Sequence, residues 1–83
     1  MIEQITETLR ASFADADINV QGEGGKFLLQ VTDAGFEGLN AVKRQQKVYA
    51  GLGDLISSGA VHAVTIVAKT PAEVAAATGF NQV

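Results

Sequence analysis

Periodicity predicts a two-layer α+β domain in the order α-β-β-α-α-β-α, with a three-stranded mixed sheet and the helices packed on one face. Three observations carry that expectation. Apolar residues at helical spacing open the chain, two alternating segments joined by glycines follow, and a β-branched run leads into a fully spelled helix start. No internal repeat, linker or low-complexity stretch divides residues 1–83, so they read as a single domain.

In chain order, Ile2, Ile5 and Leu9 recur at helical intervals with Glu3, Glu7 and Arg10 turned outward, and Asp15-Ala16-Asp17 is expected to close this helix. Ile18-Asn19-Val20-Gln21 alternates, as do Phe27, Leu29 and Val31 around Lys26 and Gln30; Gly22-Glu23-Gly24-Gly25 between them suits a hairpin loop with positive φ. Asp33 to Gly38 is a turn-rich connection holding Phe36. Leu39, Val42, Tyr49, Leu52 and Leu55 then recur at near-helical intervals, while Gly51 and Gly53 interrupt them at a cost of about 1 kcal/mol each in a helix interior. Two consecutive helices are therefore expected, near Leu39 to Ala50 and Gly53 to Ser58, with Gly59 as the C-terminal cap. Val61 to Ala68 reads as a strand apolar on both sides, suited to the centre of a sheet or to one covered face and one face open to a partner. Thr70-Pro71-Ala72-Glu73 spells a capping box with proline in the first helical position, and Gly79 is expected to end that last helix.

Composition limits the function classes. Of the residues 47% are apolar and 18% charged, which describes a folded chain; cysteine is absent, so disulfides, thiolate ligands and cysteine nucleophiles are excluded within the chain. No basic-then-apolar leader and no membrane-length apolar stretch is seen, and a cytoplasmic location is expected. The net charge of −3 does not favour polyanions as a whole, yet three of the six basic residues, Lys43, Arg44 and Lys47, fall close together.

Two features can carry chemistry. His62 is the only imidazole, the one side chain here suited to a borderline metal, but no second ligand stands at a ligating spacing. Spacing alone favours an ordinary strand-end histidine over a metal ligand. Lys43, Arg44 and Lys47 are expected on one helix face, where they would suit phosphates, with Gln45 and Gln46 able to address base edges. A solvated polar face, or a dock for an acidic protein, accounts for the same pattern. Gly22-Glu23-Gly24-Gly25 joins strand to strand and is no phosphate loop, which should open a helix. With one histidine, no cysteine and scattered carboxylates, no catalytic constellation is visible and an enzyme is not expected.

Four strings occur together: Phe36-Glu37-Gly38, then Val42 to Tyr49, then Val61-His62-Ala63-Val64-Thr65-Ile66, then Lys69-Thr70-Pro71-Ala72-Glu73. Over essentially the whole chain they resemble the BolA family, in particular its short bacterial, IbaG-like branch. The resemblance implies a fold like the class II KH domain. It also implies partnership with a monothiol glutaredoxin in iron–sulfur cluster trafficking and a stress response. A [2Fe-2S] cluster would be shared with that partner's cysteine and glutathione, with His62 as this chain's ligand and none bound by the chain alone. Imidazole in place of thiolate would raise the cluster's potential. Where this branch commonly carries a second ligand in the hairpin loop, the sequence has Lys26, whose ammonium has no lone pair to give. Val74 stands where many relatives have an aromatic residue. The family's link to transcription implies the alternative of a DNA-binding regulator using Lys43, Arg44 and Lys47. A monomer or weak homodimer is expected.

Overall fold

The computed structural model describes residues 1–59, 61 and 63–81, without the side chains of Glu23 and of residues 77–81. Its elements are α1 (Ile2–Ser12), β1 (Asp17–Glu23), β2 (Lys26–Thr32), a single 3₁₀ turn (Ala34–Phe36), α2 (Ala41–Leu52), α3 (Asp54–Ser57), β3 (Ala63–Lys69) and α4 (Pro71–Asn81). The order is the expected one. β1 pairs antiparallel with β2, β2 pairs parallel with β3, and α1, α2 and α3 cover one face of this mixed sheet, whereas Val74 of α4 lines a hollow on the other, so not every helix packs on one face as expected.

The hairpin is tighter than the glycine run suggests. Gly24 and Gly25 both take positive φ, 62° and 82°, the signature of a two-residue turn whose twist matches the flanking strands. Pairing therefore continues to Glu23 and Lys26, and Gly22 lies within β1 opposite Phe27. A Cβ at Gly22 would collide with the Lys26 carbonyl and the Phe27 ring, so close backbone approach accounts for this glycine.

Alternation along β2 sorts its side chains: Phe27, Leu29 and Val31 are buried under the helices, while Lys26 and Gln30 face outward. Ile5 and Leu9 of α1, Phe13, Phe36, Val48, Leu52, Leu55 and Val61 complete the core. Phe13 and Phe36 meet with ring centroids 5.6 Å apart in a tilted arrangement.

Four expectations are corrected. The first helix ends at Ser12, capped by the Phe13 amide on the Leu9 carbonyl, well before Asp15. The buried stripe of α2 is Val48 and Leu52, with Gly51 against Phe13; Val42 and Tyr49 are 63% and 42% exposed. β3 begins at Ala63 and is an edge strand, the centre being β2. Its apolar run misled because Val64, Ile66 and Ala68 take the helix side, while Val67, half-buried, lines a hollow on the other face together with Val74. Finally, α4 runs past Gly79 to Asn81, since one glycine weakens a helix without having to end it.

Candidate functional site

Lys26 and Arg44 stand at opposite ends of the parallel β2–β3 ladder. At one end the hairpin turn meets the start of β3. Lys26 stands directly across from Ala63, and the Ala63 amide donates to the Gly25 carbonyl at 3.3 Å. His62 lies outside the described residues, but its chain neighbour Ala63 is thereby set beside the turn. Shallow depressions flank this corner. One, of about 590 Å³, is lined by Gln21, Gly22, Lys26, Phe27, Leu28 and Thr65. Another, of about 530 Å³, is lined by Met1, Ile2, Glu3 and the turn glycines. Exposed Ile2 belongs here and not to the core. Among the described residues no group of three or more histidine, cysteine or carboxylate side chains converges.

At the opposite end Arg44 ties α2 to β3 and α4. Its Nε donates to the Leu39 carbonyl at 2.8 Å and its Nη1 to the Ala68 carbonyl at 3.0 Å. Nη1 and Nη2 also grip the two carboxylate oxygens of Glu73 at 2.7 and 3.3 Å, a forked, charge-assisted pairing. Glu73 in turn closes the predicted capping box: the Thr70 amide donates to its Oε1 at 2.8 Å, and the Glu73 amide donates to Thr70 Oγ1 at 3.1 Å. Thr70 is buried. The Arg44 guanidinium, followed by the Thr70 amide, holds the Glu73 carboxyl down to about 2, and the same ion pair raises the Arg44 pKa.

The three cations of α2 therefore do not share one surface. Lys43 is exposed, its amide donating to Oδ1 of the N-cap Asn40 at 2.9 Å. Lys47 reaches back over the Phe36 ring, 5.9 Å from its centroid, and donates to the Gly35 carbonyl at 3.4 Å. Arg44 points toward β3. A signal for this existed: Arg44, Val48 and Leu52 stand four apart, so the arginine lies on the buried stripe. The spacing of Lys43 and Lys47 drew attention to the charges and away from that stripe. The Thr70–Glu73 capping box was legible in the sequence, whereas Glu73 as the partner of Arg44 and Asn40 as the cap of α2 were missed, although an asparagine ahead of a helix is a legible signal.

No described helix is long and apolar enough to cross a membrane. What fold and site define is a small α+β domain with a parallel edge strand, a glycine hairpin beside it and an arginine-locked final helix. The family model for BolA-like proteins matches residues 4–73, and the chain belongs to that family. It is 55% identical over 71 residues to a protein from the rpoN-murA intergenic region of Acinetobacter guillouiae, covering 86% of each chain. It is 36% identical over 70 residues to the acid stress protein IbaG of Escherichia coli, covering 84% of this chain and 83% of that one. Among solved structures, a bolA protein homologue from Coxiella burnetii superposes with a TM-score of 0.79 at 27% identity, over 89% of this chain and 95% of the other.

Proposed function

We propose that the chain is a non-enzymatic accessory protein that binds a monothiol glutaredoxin and hands on a [2Fe-2S] cluster, in support of an iron-linked stress response. The observation that carries this reading is the register at the hairpin end. Ala63 sits across from Lys26 and bonds to Gly25, so the start of β3 lies next to a glycine turn with open depressions on either side, and His62 directly precedes Ala63 in the sequence. A partner's surface can reach such a corner.

The chain holds too few ligands to keep a cluster alone. Without cysteine, and with an ammonium at Lys26, it offers one imidazole, and the cluster is cargo whose other ligands come from the glutaredoxin cysteine and glutathione. An imidazole donor in place of a thiolate raises the cluster's potential and favours its release to an acceptor. Likeness to a relative named as an acid stress protein supports the stress assignment. The engagement of Arg44 with Glu73 and Ala68 favours the hairpin end over α2 as the working surface, since it withdraws one of the three cations that a DNA contact would use.

The test is to mix the protein with a cluster-loaded monothiol glutaredoxin and follow visible circular dichroism. The spectrum should change on mixing, and His62→Ala should remove the change; an unaltered spectrum with the histidine deleted excludes His62 as a ligand. Lys26→His should lengthen the life of the shared cluster if the turn faces it. DNA affinity at low salt that drops on removing the Lys43 and Lys47 charges would support the regulator reading instead.

A further inference from the structure

The outer face of the sheet holds a hollow at the Lys69 end, remote from the hairpin corner. Two neighbouring cross-strand rows floor it: Asp17, Thr32 and Lys69 in one, Asn19, Gln30 and Val67 in the other. Val74 of α4 stands at its side, and the space is about 300 Å³, the small end of the range for ligand pockets. Along β3 it lies about 20 Å from Ala63 at the usual strand rise.

The bonds that close this end of the ladder run through backbone groups, Arg44, Thr70 and Glu73, and leave the lining side chains out. Asp17 and Lys69 bring opposite charges to one row with Thr32 between them. They do not pair: among the described residues the ion pair formed is Arg44–Glu73. Two strand spacings of about 4.8 Å set their backbones roughly 10 Å apart, so a carboxylate and an ammonium face each other across a gap. In the next row two carboxamides each offer donors and an acceptor, beside two valines and no charge.

We infer that this hollow binds a free α-amino acid with an uncharged, hydrogen-bonding side chain, glutamine being the simplest probe. The ligand's ammonium meets Asp17, and its carboxylate meets Lys69 and the Thr32 hydroxyl. Both charges sit on one carbon, which leaves room in the row for a charge-assisted hydrogen bond of about 2.8 Å at each end. A dipeptide, about 7 Å from end to end, overfills the same row. The ligand's side chain then lies over the second row, its carboxamide donating to one of Asn19 and Gln30 and accepting from the other. Val67 and Val74 cover its methylenes. A charged side chain would lose water there with no counter-charge to replace it.

Titration of the full chain with L-glutamine to tens of millimolar, followed by amide NMR spectra, tests this. The amides of Asp17, Gln30, Thr32 and Lys69 should shift saturably, while those of Lys26 and Ala63 stay in place. N-acetylglutamine lacks the ammonium and glutaminamide the carboxylate; each should bind at least about tenfold more weakly, and so should glutamate. Asp17→Asn and Lys69→Gln should weaken glutamine by a similar factor and keep the wild-type circular dichroism. Asp17→Asn should also abolish the preference over N-acetylglutamine, which a distorted fold would not do selectively. His62→Ala should leave the titration unchanged, so this site stands or falls apart from the cluster reading. No saturable shift, equal affinity for the blocked forms, or tighter binding of glycylglutamine overturns the proposal.

Discussion

The two ends of the β2–β3 ladder are built from similar residue types and do opposite things. At the Lys69 end polar groups are tied to one another: the Asp33 amide bonds to the Lys69 carbonyl across the strands, Arg44 reaches Ala68 and Glu73, and Glu73 and Thr70 satisfy each other's amides. At the Gly25 end, glycines replace side chains and Lys26 stands exposed beside open depressions. A cation is structural at one end and available at the other. The difference lies in burial: Arg44 is on the packed stripe of α2 with its side chain 15% exposed, and Lys26 is on the open face. The closed end holds the strands in register so that the open end can stay uncommitted.

The comparison is broken most severely by removing the anchor of the closed end. Phe36 is fully buried against Phe13 beneath Lys47, and Phe36→Ala should cost about 3–5 kcal/mol in urea unfolding. At the open end the largest effect is steric. Gly22→Ala should cost about 1–3 kcal/mol, because its methyl would strike the backbone of β2, and cross-peaks around Lys26 and Phe27 should shift in NMR spectra. Thr70→Ala removes one arm of the capping box, for a loss of about 1 kcal/mol and lower helicity in α4.

Glu73 sharpens the contrast through pH. Its folded pKa is depressed from 4.5 to about 2, so the stability it contributes is fully present above pH 4.5 and is lost as pH falls through 2. Glu73→Gln should be less stable than wild type at neutral pH, and the two denaturation midpoints should converge in that acid window. The smallest effect is expected from Lys43→Ala, within about 0.5 kcal/mol of wild type, since that side chain is exposed. A large loss there would mean that α2 depends on all three cations and that the ends are less different than the geometry shows.

Much of this was legible because it depends on neighbours in the chain. The order of elements, the hairpin, the proline-started final helix and its capping box all follow from local chemistry. His62 and Lys26 were singled out by residue type and by family resemblance, while the pairing of Ala63 with Lys26 required the strand register. What misled was any judgement of which side of an element is covered. Val42 and Tyr49 keep helical spacing yet lie exposed, and the apolar run of β3 belongs to an edge.

The sequence by itself determined where the chain turns, which segments are helix or strand, and that the chain carries one imidazole and no thiolate. Glycine φ freedom, proline geometry and side-chain periodicity act over a few residues and need no distant contact. Only the tertiary structure decided that β2 is central, that Ala63 faces Lys26, and that Arg44 locks α4 while Lys43 stays at the surface. Those outcomes depend on packing between segments tens of residues apart, where burial of one face excludes alternatives that local patterns leave equal.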